Sequence, residues 1–298
     1  MPTGLLLGLF ASVVWGFTDL TAALASRRIG SLRALAGAQV VSLALLGIGI
    51  ALDPSRLGSE PLSGIAAGLP LGFIAAGAYL AFFTALRIGP ISVVSPVVAA
   101  YGGATVVLAV VFRGETLQPL QAGGAACATI GVVLTGLVFR GSLRGTRIVG
   151  PGVMIAVATL LLFAILTVSL AGPIKAYGWM PVILGSRLMN TITAIVLLTL
   201  AVRAGSPRLG PLLQPAGRWS RMAIMLVVVA GTFDFAGFVA YAIGLEVSFA
   251  WLVGLASSFG PVIAVVYAVG WLGERLRPTQ WFGLGLIVVG LVVLAVAS

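Results

Sequence analysis

Gly114-Glu115-Thr116-Leu117-Gln118-Pro119-Leu120-Gln121 returns 159 residues later as Gly273-Glu274-Arg275-Leu276-Arg277-Pro278-Thr279-Gln280. The register holds beyond the octapeptide, for Gly124 meets Gly283 and Gly131 meets Gly290. Seven of the 18 positions from 114 to 131 recur, where chance in so apolar a composition gives roughly two, so the chain contains an internal repeat. Each copy is a turn followed by an apolar run that closes a half, which divides the chain into residues 1–140 and 149–298.

Working outward, each half holds five apolar runs. The ten expected spans are 4–25, 33–52, 63–86, 91–112, 119–139, 149–171, 179–202, 222–244, 248–271 and 278–297. A helix rises 1.5 Å per residue, so about 20 apolar residues cross the ~30 Å hydrocarbon layer of a bilayer. The fold class expected is therefore an all-α integral membrane protein with ten transmembrane helices. Five is an odd number of crossings, so the second half enters the membrane the other way up. The expected architecture is two inverted-topology repeats about a pseudo-two-fold axis in the membrane plane, in one compact bundle. That architecture permits alternating access, with a ligand held near the midplane where the repeats meet.

Composition agrees. Of 298 residues, 60% are hydrophobic and 8% charged, against about 25% charged in soluble domains. The net charge of +10 comes from 16 Arg and Lys175, spread through short loops. This is a pattern for lipid headgroups and topology rather than for nucleic acid. The chain has no His, and Cys127, the single cysteine, lies within an apolar run. An internal disulfide is excluded and most zinc sites with it. No catalytic constellation, metal site or phosphate-binding Gly-x-x-x-x-Gly-Lys loop is present, so neither an enzyme nor a cofactor is expected. The first run lacks a basic leader and a cleavage site, and reads as a retained helix.

Charge within the hydrocarbon calls for a partner or a function. Asp234 sits near the middle of span eight, Arg187 eight residues into span seven after Trp179, and Asp19 four residues after Trp15 on the same face of span one. An offset of 148 pairs Gly30 with Gly178, Arg27 with Lys175, and Gln39 with Arg187. Two readings of Arg187 and Asp234 remain open: an ion pair fastening spans seven and eight, or a guanidinium and a carboxylate that meet a zwitterionic ligand. Proton coupling through the aspartate is a third. Trp15, Tyr79, Tyr101, Trp251 and Tyr267 lie inside spans, either to line a cavity or to pack in the core, whereas Trp179, Trp271 and Trp281 near span ends read as an interfacial belt. The candidate substrate-binding set is Trp15, Asp19, Gln39, Tyr79, Tyr101, Arg187, Asp234 and Trp251. Gly64, Gly68, Gly72 and Ala76 place small residues along one face of span three, where another helix can approach closely. Pro96 and Pro261 fall inside spans four and nine, to kink them either for gating or for bundle shape.

Trp15-Gly16, Ala85-Leu86, Pro96-Val97 and the doubled Gly-Glu-x-Leu-x-Pro-x-Gln resemble the EamA family of the drug/metabolite transporter superfamily, along essentially the whole chain. Within it the overall pattern is most similar to the YddG-type amino acid exporters. The second half departs from the pattern at Leu255, which stands where the first half has Pro96. The resemblance implies a secondary transporter that works without ATP in a bacterial inner membrane, exporting small metabolites, amino acids foremost. Drug or other metabolite efflux is the alternative on the same fold, and a non-transporting receptor or scaffold is the rival class. The implied partners are the small-molecule substrate and the lipid bilayer, with no nucleic acid; the chain is expected to act as a monomer, with a homodimer as the alternative. Orientation sets two expectations against each other. Thirteen loop Arg fall on one side of the spans, and only Arg56, Arg113 and Lys175 on the other. The positive-inside rule puts both termini outside the cytoplasm, whereas EamA relatives usually have cytoplasmic termini.

Overall fold

A computed structural model describes residues 2–89, 91–136, 151–204, 218–260 and 278–297, with backbone only at 91–93, 96, 135–136, 204 and 280. Every regular element among them is helical: α1 (Pro2–Ile29), α2 (Ser31–Leu52), α3 (Pro61–Ile88), α4 (Ile91–Ala99), α5 (Tyr101–Arg113), α6 (Pro119–Gly136), α7 (Pro151–Tyr177), α8 (Trp179–Ala204), α9 (Arg221–Val247), α10 (Ala250–Ser257) and α11 (Pro278–Ala297). A short 3-10 turn, Pro54–Leu57, joins α2 to α3. Six helices (α1, α2, α3, α7, α8 and α9) are long and apolar enough to cross a membrane, and Val97–Arg113, Pro119–Leu134 and Trp281–Ala297 are shorter apolar runs. The expected fourth span is two helices, α4 and α5, interrupted by a turn at Ala100 one helical turn after Pro96. Helix α10 ends at Ser257; Pro261, Tyr267, Trp271 and the second copy of the octapeptide as far as Arg277 lie outside the described residues.

The outer surface carries Phe10, Phe17, Ile48, Leu52, Phe73, Phe112, Leu161, Ile195 and Val292, all exposed. Apolar groups facing outward on helices this long make the protein an integral, multi-pass membrane protein. The inner contacts are instead made by small residues. A Cβ on Gly72 would sit 2.5 Å from the Ser186 carbonyl oxygen and the Met189 Cβ of α8, and one on Gly68 would run into the Val182 carbonyl oxygen. The small face of α3 therefore lets the two backbones touch.

Single glycines make the two tightest corners. Gly30 (φ 87°) joins α1 to α2, and Gly178 (φ 83°) joins α7 to α8. Only glycine takes that backbone region without strain. Each amide donates back at 2.9 Å, to the Ser26 and Ile174 carbonyls respectively, positions that are themselves 148 apart.

The packing partners repeat in the same way. Helix α1 packs on α9 as α7 packs on α3; α3 packs on α8 as α9 packs on α2; α1 packs on α10 as α7 packs on α4 and α5. Helices α6 and α11 pair with each other, their chains running oppositely, since Gln121 Nε2 at the start of α6 donates to the Ala297 carbonyl at the end of α11 at 2.9 Å. A Cβ on Gly131 would meet the Gly283 carbonyl oxygen, and one on Gly290 the Gly124 carbonyl oxygen, both at 2.7 Å. The four glycines of the sequence repeat thus face one another.

Glu115, the glutamate of the repeated motif, is buried and spans the halves. Its Oε1 accepts from the Ala250 amide and its Oε2 from the Trp251 amide, both at 3.2 Å, while Arg113 Nε pairs with Oε1 at 3.2 Å. The carboxylate so satisfies the first free N–H groups of α10 and meets the positive end of its dipole.

Candidate functional site

A partly open cavity lies among α1, α3, α4, α5, α7, α9 and the end of α10. Those elements belong to spans one, three, four, six, eight and nine. Trp15, Asp19, Tyr79, Tyr101 and Asp234 from the candidate set lie on its wall. Gln39, Arg187 and Trp251 do not line it. Trp251 is fully buried, its ring 6.5 Å from Phe249, and α10 is enclosed on every side. Trp179, read from sequence as an interfacial ring, is 9% exposed and packs inward, whereas Trp281 is exposed.

Rings dominate the wall, and six of the eight form two matched groups. Trp15 of α1 stands 5.3 Å from Tyr241 and 6.2 Å from Phe238, both on α9. Phe163 of α7 stands 5.4 Å from Tyr79 and 5.8 Å from Phe82, both on α3. Phe163 follows Trp15 by 148 residues; Phe238 and Tyr241 follow Tyr79 and Phe82 by 159. Sequence reasoning named one member of each group and missed Phe82, Phe163, Phe238 and Tyr241. The two repeat offsets, applied to the aromatic residues, would have found them. Hydroxyl pairs complete the wall: Tyr101 with Ser257 at 2.6 Å, and Tyr241 donating to Thr167 at 2.5 Å.

A buried polar clamp runs from the wall residues Tyr79 and Asp234 back to Arg187 and Gln39. Arg187 Nη1 donates to Asp234 Oδ2 at 2.5 Å and to Gln39 Oε1 at 2.6 Å, and the Tyr79 hydroxyl donates to Asp234 Oδ1 at 2.7 Å. The guanidinium lies over the Phe238 ring, 4.1 Å from its centroid, a cation–π contact. Arg187 and Asp234 side chains are 3% exposed, so the charges answer each other out of contact with solvent. Four helices (α2, α3, α8 and α9) are fastened at this one point. Gln39 Nε2, Arg187 Nη2 and both side-chain polar atoms of Asn190 find no partner among the described residues.

Asp19 is placed differently. It lies on the cavity wall and accepts one hydrogen bond, from Ser95 Oγ at 3.1 Å. No cation pairs with it among the described residues, whose ion pairs are Arg56–Asp53, Arg113–Glu115 and Arg187–Asp234. No group of three or more potential metal ligands occurs among the described residues. The arrangement suits reversible binding of a small, largely apolar molecule with few polar points.

Comparison with known proteins bears on the fold and the family. No curated protein matches the chain. A solved structure, titled only "Crystal structure of protein", shares the fold at 19% identity, with a TM-score of 0.75, over 99% of this chain and 97% of that one. The model of the EamA-like transporter family matches twice, at residues 2–137 and 150–296. That family consists of transporters rather than enzymes, and with nearly the whole length matched, the chain belongs to the EamA-like transporter family.

Proposed function

We propose that this protein is a secondary transporter that exports small organic metabolites, amino acids with apolar or aromatic side chains foremost, across a bacterial inner membrane by alternating access. The observation that carries the reading is the cavity between the halves, walled by three spans from each and ringed by aromatic groups in matched positions. A site shared evenly by two repeats is the arrangement that can face one side of the membrane and then the other.

The working unit is two five-helix repeats, 1–140 and 149–298, of opposite membrane orientation, with ten crossings. The exchange-symmetric packing, the oppositely running α6 and α11, and the doubled family match support this. Both halves are on one chain, so a monomer closes the site alone. Trp15, Asp19, Tyr79 and Tyr101 contact substrate. Arg187, Asp234 and Gln39 hold the helices that carry them. Loop charge supports termini outside the cytoplasm, and alkaline phosphatase fused after Ser298 is then active.

The test is counterflow in proteoliposomes with labelled amino acids, with and without a pH gradient. Saturable exchange of leucine, phenylalanine or tryptophan is expected. No exchange of any amino acid by protein verified as folded would overturn the reading.

A further inference from the structure

The cavity is matched in six of its eight rings but not in its charges. The residue 148 positions after Asp19 is Thr167, whose hydroxyl is taken by Tyr241. The residue 159 positions before Asp234 is Ala75. Asp234 is already answered by Arg187 and Tyr79. Among the described residues Asp19 has Ser95 alone. Eight rings, several hydroxyls and this one carboxylate without a counter-ion make up the polar and π character of the described wall, and neither Lys nor Arg lines it.

Such a wall reads one sign of charge. A carboxylate among rings is expensive to keep ionised unless a cation joins it. Ring faces attract cations as well. An ammonium placed against Asp19 gains a charge-assisted hydrogen bond and the quadrupoles of neighbouring rings, and an apolar body fills the remaining space. A ligand carboxylate meets no cation on the described wall, because Arg187 lies off it and is turned to Asp234.

We propose that Asp19 recognises the ammonium pole of the ligand, so that the site takes primary amines with an aromatic or branched apolar body at least as well as the parent amino acids, and rejects the matching carboxylic acids. This rests on the cavity being the transport site. Selectivity is then set by one residue of the first repeat.

The test uses the full chain in proteoliposomes, with counterflow of labelled 2-phenylethylamine and of labelled phenylalanine. Unlabelled 2-phenylethylamine, phenylalanine and 3-phenylpropionate serve as competitors. In the wild type the amine should compete at least as well as phenylalanine, and both about tenfold or more better than the acid, the ratio that a charge-assisted bond supplies. Asp19→Asn should bring amine and acid to within a few-fold of each other, and Asp19→Glu should restore the preference. Equal competition by 3-phenylpropionate in the wild type, or an undiminished preference in Asp19→Asn, overturns the proposal. The wild-type order needs no variant and decides the matter even if Asp19→Asn fails to elute as a single species. If other amino acids exchange while neither phenyl compound does, the proposal fails and transport stands. If nothing exchanges, both fail.

Discussion

Removing Arg187 alone should destabilise the protein about as much as removing both members of its ion pair. In Arg187→Met the Asp234 carboxylate keeps only the Tyr79 hydroxyl, and Gln39 Oε1 loses its donor. Stranding one member of a buried pair costs about 3–5 kcal/mol, and Asp234→Leu should cost a similar amount by stranding the guanidinium. If the two sites were independent, the double variant would lose about 6–10 kcal/mol. The geometry says otherwise. With both charges gone, the orphans are Gln39 Oε1 and the Tyr79 hydroxyl, at about 1–3 kcal/mol each, or about 2–6 kcal/mol in total. The coupling is then about 4 kcal/mol, toward the lower end where the unfolded chain finds partners within the membrane. The assay is reversible unfolding in mixed micelles, followed by near-ultraviolet circular dichroism, for the wild type, both single variants and the double. The folded double variant should also retain counterflow, because Arg187 is off the cavity wall and Asp234, though on it, is occupied by Arg187 and Tyr79. Additivity within about 0.5 kcal/mol refutes the clamp as a coupled unit. A folded double variant without flux refutes its assignment as scaffolding.

Gly72→Leu should prevent recovery of monodisperse protein, since its Cβ overlaps the backbone of α8, while Gly77→Leu, whose Cβ has nothing within 4 Å, should be purified normally. A normal yield of the first would contradict the close approach of α3 and α8. Glu115→Ala should lower the thermal midpoint by stranding the Ala250 and Trp251 amides, a loss of about 0.5–2 kcal/mol as for other caps, and Glu115→Gln should recover part of it; equal midpoints for all three proteins would remove the cap. Asp53, exposed between α2 and α3, is held below its ordinary 3.8 first by the Ser55 hydroxyl and then by Arg56. Its contribution is complete above pH 3.8 and fades as pH falls through the lowered folded value. NMR titration should show Ser55→Ala raising that value, and no rise would exclude the hydroxyl as the cause.

Spans such as α3 were legible because length in an apolar run is itself the signal: 63–86 was expected and Pro61–Ile88 is helical. The turn at Ala100 was invisible, since both sides of it are equally apolar and hydropathy does not register a local break. The Arg187–Asp234 pair could be read from sequence because unpaired charge is so costly in hydrocarbon. The Tyr79 hydroxyl's share in the clamp required knowing which way α3 turns. Trp251 was misplaced for a related reason. A helix apolar on every side, as α10 is, offers no polar stripe to say which face meets a cavity. The repeated Gly-Glu-x-Leu-x-Pro-x-Gln stood out as a pattern, but the amides that Glu115 caps are 135 and 136 residues away. Only the fold brings them together.

Gln39 and Arg187 occupy equivalent places in the two repeats, and they hydrogen-bond to each other. A residue that touches its own equivalent lies beside the proposed axis. In an assembly of two identical five-helix pieces such a position meets itself. Two copies of the first piece would set Gln39 against Gln39, two neutral amides. Two copies of the second would set Arg187 against Arg187, two buried guanidiniums with no charge between them but their own aspartates. On one polypeptide the axis need not suit two identical copies, so a charge can stand on one side only. The halves expressed as separate polypeptides should therefore seek each other rather than themselves.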